Sequence, residues 1–221
     1  MKFRHEYKHQ INLADIYTLR TRLSAVAKHD PYAEEDGTYF IKSLYFDNYM
    51  DKALREKQDG VNKREKFRIR YYGTDTSFIK LEKKSKINGL CNKESCRITA
   101  EECQKIIDGD CDFMLHSEHE LMRELYAKMK HQLLRPKCIV AYRRECFVYP
   151  PGNVRVTLDM NICGSNNVKE FLNPDLKFLQ LWHNSILEVK WDEFLPGIIR
   201  DCVQTKSRRS AAFSKYAAIR I

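Results

Sequence analysis

A two-residue rhythm puts basic side chains on one side of strand after strand, and this constrains the fold more than any other feature of the sequence. Successive side chains on a β-strand point to opposite faces, so every second residue shares a side. Residues 3–11 alternate strictly, with Arg4, Glu6 and Lys8 on one face and Phe3 and Tyr7 on the other. In residues 64–72, Lys66, Arg68 and Arg70 oppose Phe67, Ile69 and Tyr71. Residues 77–84 set Lys80, Glu82 and Lys84 against Ile79 and Leu81. Arg155, Thr157 and Asp159 oppose Val154, Val156 and Leu158, and Glu188 and Lys190 oppose Leu187, Val189 and Trp191.

One wet face and one dry face is the common cause of such alternation in a single strand. Across five strands that account weakens. A solvated face mixes Thr, Ser, Gln and both signs of charge, whereas these positions are mostly Arg and Lys with an occasional Glu. The planar guanidinium also suits phosphate oxygens. A sheet closed into a barrel with this face inward would enclose a positively charged tunnel. Like-charge repulsion would frustrate that tunnel when empty, and a polyanion would relieve it.

The remaining sequence fits this picture. Further strands are expected at residues 39–46, 137–148, 153–159 and 186–191, and a hairpin loop at 73–76. A helix opens at Asn12 or Asp15, carrying Leu13, Ile16, Tyr17, Leu19, Leu23 and Val26. A short helix or turn is expected within 47–56, before the Asp59-Gly60 turn. Thr99 with Glu102 and Ser117 with Glu120 read as capping boxes for helices over 100–108 and 118–134, and helical turns close the chain between 197 and 218. Seven or eight strands joined by short turns, with helices in the gaps, argue for an antiparallel sheet or barrel of α+β type. No linker or repeat divides residues 1–221, and no glycine-rich phosphate loop points to a P-loop or dinucleotide-binding fold.

Thirty-nine Lys and Arg against 30 Asp and Glu give a net charge of +9, which favours polyanionic partners without choosing among them. No apolar run approaches the about 20 residues that span a bilayer, and the charged N-terminus has no signal-peptide core. A cytoplasmic location is therefore expected. The eight cysteines contain no CxxC pair and are expected to be reduced thiols. The seven histidines show no zinc or nucleophile spacing. Glu6, Glu82 and Glu188 lie among the cations. They either hold neighbouring Lys and Arg by ion pairing or, in at least one case, bind Mg²⁺ or Mn²⁺, which share their shell between carboxylates and substrate phosphates.

These segments resemble a known family. Arg4-His5-Glu6-Tyr7-Lys8 resembles the ExExK-type opening strand of the triphosphate tunnel metalloenzymes, the CYTH-like superfamily. Ser43–Asp47, Lys66–Gly73, Leu81–Lys84, Tyr142–Phe147, Val154–Asp159, Leu187–Lys190 and Phe213–Tyr216 are similar to one branch, the polyphosphate polymerase domain of the vacuolar transporter chaperone (VTC) complex. The matches run in family order from residue 4 to residue 216, which implies a single VTC-like tunnel domain over 1–221. The resemblance implies an α+β fold, an antiparallel eight-stranded β-barrel (triphosphate tunnel) with flanking helices, and transfer of the ATP γ-phosphate to a growing polyphosphate chain. Arg68, Arg70, Arg144 and Arg155 would act on the transferred group. Lys8, Lys84, Lys93, Lys190 and Lys215 would bind phosphates, and Glu188 and Glu6 would hold the metal. The expected partners are ATP and inorganic polyphosphate or triphosphate, with no nucleic acid.

Two positions depart from the pattern. Arg4 replaces the superfamily's first Glu, which favours the VTC branch over simple triphosphatases. Ala212 replaces the first Lys of the K-F-S-K motif, where Lys206, Arg208 or Arg209 could compensate. Metal-dependent hydrolysis of triphosphate or nucleoside triphosphate is the alternative activity, because the same clamp serves water as acceptor. A non-catalytic polyphosphate- or RNA-binding module is a third reading. RNA binders expose aromatics among their basic residues, whereas Phe67 and Tyr71 fall opposite the arginines.

Overall fold

The computed structural model describes residues 4–88, 90–180, 182–205 and 213–220. Nine strands form one antiparallel sheet: β1 (His5–Ile11), β2 (Lys28–His29), β3 (Thr38–Asp47), β4 (Arg64–Tyr72), β5 (Asp75–Ile87), β6 (Leu90–Ile98), β7 (Arg135–Tyr149), β8 (Val154–Ser165) and β9 (Ser185–Trp191). Eight follow the order β1-β9-β8-β7-β3-β4-β5-β6, and the two-residue β2 pairs with β7 off that path. The sheet curls until its edges meet, and an isolated bridge between Arg4 and Cys91 joins them. This is the antiparallel eight-stranded barrel with flanking helices that the family resemblance implies.

The apolar face of the sheet points outward and is covered by helices. On one wall Phe67, Ile69, Tyr71, Ile79, Leu81 and Ile98 pack beneath α3 (Ala100–Asp108) and α4 (Glu120–His131). On the opposite wall Ile11, Val154, Val156, Leu158, Leu187 and Val189 pack with α1 (Leu13–Ser24) and α5 (Gly197–Cys202). Burying each of these side chains contributes about 1.5–3 kcal/mol. Both faces of the sheet are thus withdrawn from bulk water. The charged face has nowhere to point but the lumen.

Part of the lumen is itself apolar. Ile41 and Tyr45 of β3, Val140 and Tyr142 of β7, Ile162 of β8 and Ile186 of β9 gather around Tyr216 and Ile219 of α6 (Lys215–Arg220). This short helix fits because β8 carries Gly164 beneath it. A Cβ at that position would stand 2.2 Å from Ile219 Cγ2. Tyr216 stacks on Tyr45 at 5.3 Å and donates its hydroxyl to Asp47 at 2.6 Å. Asp47 is fully buried and also accepts the backbone N–H groups of Ala53 and Leu54 at the start of α2 (Lys52–Gln58).

Several local expectations meet the structure directly. Asn12 and Asp15 form a capping box on α1, Thr99 and Glu102 form one on α3, and Gly109 closes α3 in the left-handed region. Others need correction. Leu13 and Tyr17 lie on the exposed side of α1, and Val26 falls beyond its end. The spacing at Ser117 and Glu120 makes no capping box. His119 is the N-cap of α4 with no side-chain bond, and Ser117 Oγ accepts from the N–H of His119 at 3.2 Å. The helix expected to reach residue 134 ends at His131, because Leu133 adopts a positive φ that turns the chain into β7. Strands β5, β7 and β8 run longer than the sequence implies, and β6 is an additional strand. Ala212, Lys206, Arg208 and Arg209 lie outside the described residues.

Candidate functional site

Register carries the basic residues of different strands to matching heights on the inner face. On one side Lys66 pairs with Lys84 and Arg68 with Glu82 across β4 and β5, and Lys84 pairs with Lys93 across β5 and β6. On the other side Lys8 pairs with Glu188 and Glu6 with Lys190 across β1 and β9, while Arg155 pairs with Lys190 across β8 and β9. Arg144 of β7 pairs with Asp159 of β8. Cross-lumen proximity joins the two halves: Lys84 lies in the fields of Arg68, Lys190, Glu188 and Lys8, and Lys66 in those of Lys8, Arg68 and Lys215.

The acidic groups of the lumen act as anchors. Glu82 is fully buried and accepts Arg68 Nε at 2.7 Å, with Lys93 Nζ at 2.6 Å and Arg70 at 4.0 Å. Burial would push its carboxyl up, but Arg68, Arg70 and Lys93 hold it far below the carboxylate range. Asp159 receives Arg144 through two bonds of 2.5 and 2.7 Å and also pairs with Lys215. Burial opposes its ionisation, yet Arg144 and Lys215 bring its pKa down to about 2. Fixed in this way, the guanidinium groups keep their positions without a ligand.

Hydroxyl groups add to the orientation of Arg68, Arg70 and Arg155. Arg70 donates Nε to Ser43 Oγ and a terminal nitrogen to the Tyr142 hydroxyl, both at 3.0 Å. Arg68 reaches the Tyr45 hydroxyl at 3.1 Å. Arg155 sits nearer the rim, sharing one nitrogen between Asp30 at 2.6 Å and the Tyr39 hydroxyl at 2.9 Å. Hydroxyl acceptors fix direction without cancelling charge, so Arg70, whose approach to Glu82 is 4.0 Å, still attracts an anion. Ser43, Tyr45 and Tyr142 lie in segments that resemble the family but carry no expected role there, and Tyr39 is not singled out in the sequence at all. The alternation that revealed β4 also places them inward, but on β3 both faces are buried and the contrast between them vanishes.

Glu188 is nearly buried and faces Lys190 at 2.9 Å, Arg144 at 3.6 Å and Lys8 at 3.8 Å. Burial works against its charge, but Lys190, Lys8 and Arg144 outweigh it and hold the carboxyl well below its ordinary value. Its Oε1 still makes no hydrogen bond of acceptable geometry. Glu6 shares the same two lysines, at 3.2 Å from Lys8 and 4.0 Å from Lys190. Glu188 Oε1 lies 2.9 Å from the Lys190 ammonium, and with Glu6 beside it the pair of carboxylates suits a hard divalent cation whose remaining ligands come from a phosphate. Among the described residues no group of three or more His, Cys, Asp and Glu could form an all-protein metal site.

Lys66 and Lys84 stand apart, because among the described residues neither has an acidic partner within 4 Å. Burial, then the like charges of Lys8, Arg68 and Lys215, lower the pKa of Lys66 to about 8. The Arg68 charge, then burial, depresses Lys84 well below its ordinary value. Burial raises the Tyr45 phenol, but Arg68, Lys66 and Arg70 overcome it and bring the pKa to about 8. Lys66 titrates lower when folded than when unfolded, so its charge opposes folding below pH 8, and that cost is lost as the pH rises from 8 to 10.5. Lys66→Met is therefore expected to be more stable than the parent at pH 7 by about 1–3 kcal/mol. The gap should close towards pH 10, while the buried cysteines titrate equally in both proteins. Thermal unfolding across pH 7 to 10 checks this, and a gap independent of pH would refute it.

The structure thus brings Lys8, Lys84, Lys93, Lys190, Lys215, Arg68, Arg70, Arg144, Glu6 and Glu188 to one lumen, with Arg155 at its margin. It adds Lys66, which the sequence placed on the inner face without a binding role. Comparison with known proteins bears on the family and the fold. The model of the VTC domain family matches residues 3–220. The PH1012 protein from Pyrococcus horikoshii OT3 superposes with a TM-score of 0.55 at 14% identity, covering 98% of this chain and 99% of that one. A Bacillus halodurans protein described as a candidate adenylate cyclase superposes with a TM-score of 0.50 at 13% identity, covering 86% of this chain and 80% of that one. At such identity these likenesses speak for the fold. No curated protein matches the sequence.

Proposed function

Since this chain belongs to the VTC domain family, we propose that it is an ATP-dependent polyphosphate polymerase, transferring the γ-phosphate of ATP to a phosphate chain inside the tunnel. The observation that carries this reading is the surplus of lumen cations. Among the described residues Lys66 and Lys84 have no acidic partner within 4 Å, in a cavity where Arg68 and Arg144 are already anchored. A linear phosphate chain supplies many negative oxygens in a narrow cross-section and so suits the shape of that surplus.

Phosphoryl transfer needs positioning and charge stabilisation more than a covalent catalyst. Arg68, Arg70, Arg144 and Arg155 clamp the triphosphate, with Lys8, Lys84, Lys93, Lys190 and Lys215 along its oxygens. The terminal oxygen of the acceptor chain attacks the γ-phosphorus, the bond from that phosphorus to the β-bridging oxygen breaks, and ADP leaves with the electron pair. The attacking oxygen is already anionic, so no side chain has to take a proton from it. Glu82 and Asp159 are committed to arginines and are poorly placed to activate water, which favours a phosphate acceptor over hydrolysis. Glu188 with Glu6 would hold Mn²⁺ or Mg²⁺, which would supply charge neutralisation at the transferred phosphate.

Incubation with ATP and Mn²⁺, followed by gel separation of products, tests the reading. Long phosphate chains together with ADP are expected. Orthophosphate as the sole phosphate product would assign hydrolysis instead, and an absence of metal-dependent turnover would leave only a binding module. The chain has no helix long and apolar enough to cross a membrane among its described residues.

A further inference from the structure

The rows of inner-face cations on β4 and β5 do not stop at the tunnel. Arg64 lies two residues before Lys66, and Lys86 two residues after Lys84, so both continue the same face outward and pair in register. They open onto a cavity of about 570 Å³ lined by Lys57, Gln58, Gly60, Asn62, Arg64, Lys86, Ser214 and Ala217. Ser214 immediately precedes Lys215, which reaches into the tunnel to Asp159. No Asp or Glu is among the described residues lining this cavity. Within 4 Å, Arg64 and Lys86 have no acidic partner among the described residues either. Lys57 feels the crowding: burial, then Arg64, Lys8 and Lys86, hold its amine below the ordinary value. One of those charges, Lys8, belongs to the tunnel itself.

We propose that this cavity is a vestibule that binds the part of a linear phosphate chain extending beyond the tunnel, with Lys57, Arg64 and Lys86 as its ligands. This rests on the tunnel binding phosphate and adds a preference for chain length. A triphosphate is consumed by the tunnel contacts alone. A longer chain held there presents its next units to the vestibule at high effective concentration, so the second set of contacts adds to the first. The vestibule has both amide donors (Gln58, Asn62) and cations, which suits chain oxygens, and no aromatic side chain is among the described residues lining it for base stacking.

The test is competition binding at fixed, near-physiological ionic strength, with tripolyphosphate, a long linear polyphosphate of narrow length distribution and a single-stranded RNA of similar charge. The full chain is compared with a Lys57→Ala, Arg64→Ala, Lys86→Ala triple variant. The parent is expected to bind long chains more tightly than tripolyphosphate by about tenfold or more, as three partly exposed ionic contacts allow. The triple variant should lose that margin while its tripolyphosphate affinity stays within about twofold of the parent. A margin that survives in the variant, or is missing from the parent, would overturn the vestibule and leave the tunnel standing. An equal margin for RNA would overturn the assignment to a phosphate chain. Failure of the parent to bind tripolyphosphate would overturn the tunnel reading and the vestibule with it.

Discussion

Arg70→Ala is expected to lower ATP turnover by about 10²–10³-fold, the loss typical of removing one preorganised donor from developing negative charge. The geometry explains why Arg70 should matter this much. Arg68 gives two nitrogens to the Glu82 carboxylate at 2.5 and 2.7 Å, so much of its charge is answered within the protein. Arg70 is oriented by Ser43 and Tyr142, both neutral, and its nearest approach to Glu82 is 4.0 Å. Its position is fixed while its charge is left for the substrate. The loss should fall mainly in kcat, because the interaction strengthens as charge builds on the transferred phosphate. Arg70→Lys should recover only part of the activity, since an ammonium keeps the charge but not the planar fork. Steady-state kinetics with ATP, alongside thermal unfolding to show that the variant folds, makes the measurement. An Arg70→Ala protein turning over ATP at the parental rate would exclude Arg70 from the chemistry.

Glu82→Gln is expected to have the largest effect on stability, about 3–5 kcal/mol, because it strands buried cations that the carboxylate now holds. Arg68, Lys93 and, at longer range, Arg70 all converge on this fully buried group. Such a loss is a large part of the 5–15 kcal/mol that separates most folded domains from their unfolded chains. The substitution keeps the shape of the side chain, so a fall in Tm reports charge and not packing. Tripolyphosphate should restore part of the loss by occupying the same field, contributing about 2.7 kcal/mol at a hundred times its Kd. Unfolding curves with and without tripolyphosphate decide the matter. A variant as stable as the parent would mean that the lumen cations do not depend on this anchor.

Much of the barrel can be read from period-two patterning where one face is apolar and the other charged. Strands β1, β4, β5, β8 and β9 have that contrast and are recognisable for that reason. Strand β6, Leu-Cys-Asn-Lys-Glu-Ser-Cys-Arg-Ile, has almost none, because it ends the sheet path and most of its side chains are not deeply buried. Lys93 consequently seemed to stand outside any strand until the pairing with β5 placed it beside Glu82. Asp30 offers no signal at all: its role depends on meeting Arg155, 125 residues away along the chain. The local capping rule works for Thr99 and fails for Ser117 for a related reason. Ser117 follows the 3-10 turn Asp112–His116, and its hydroxyl accepts the N–H of His119, so α4 begins after His119 instead of being capped from Ser117.

The adhesive of this fold lies on the outside of its hoop, in two greasy collars where helices clasp the strands. The bore is held by ion pairs such as Arg68 with Glu82 and Arg144 with Asp159, and by the contacts of α6. Side chains in the bore can therefore be exchanged over generations where charged partners change together, while the collars keep the strands in place. Such a division lets one frame be re-lined for different anionic cargoes, and it accounts for chains only 13–14% identical curling into the same shape.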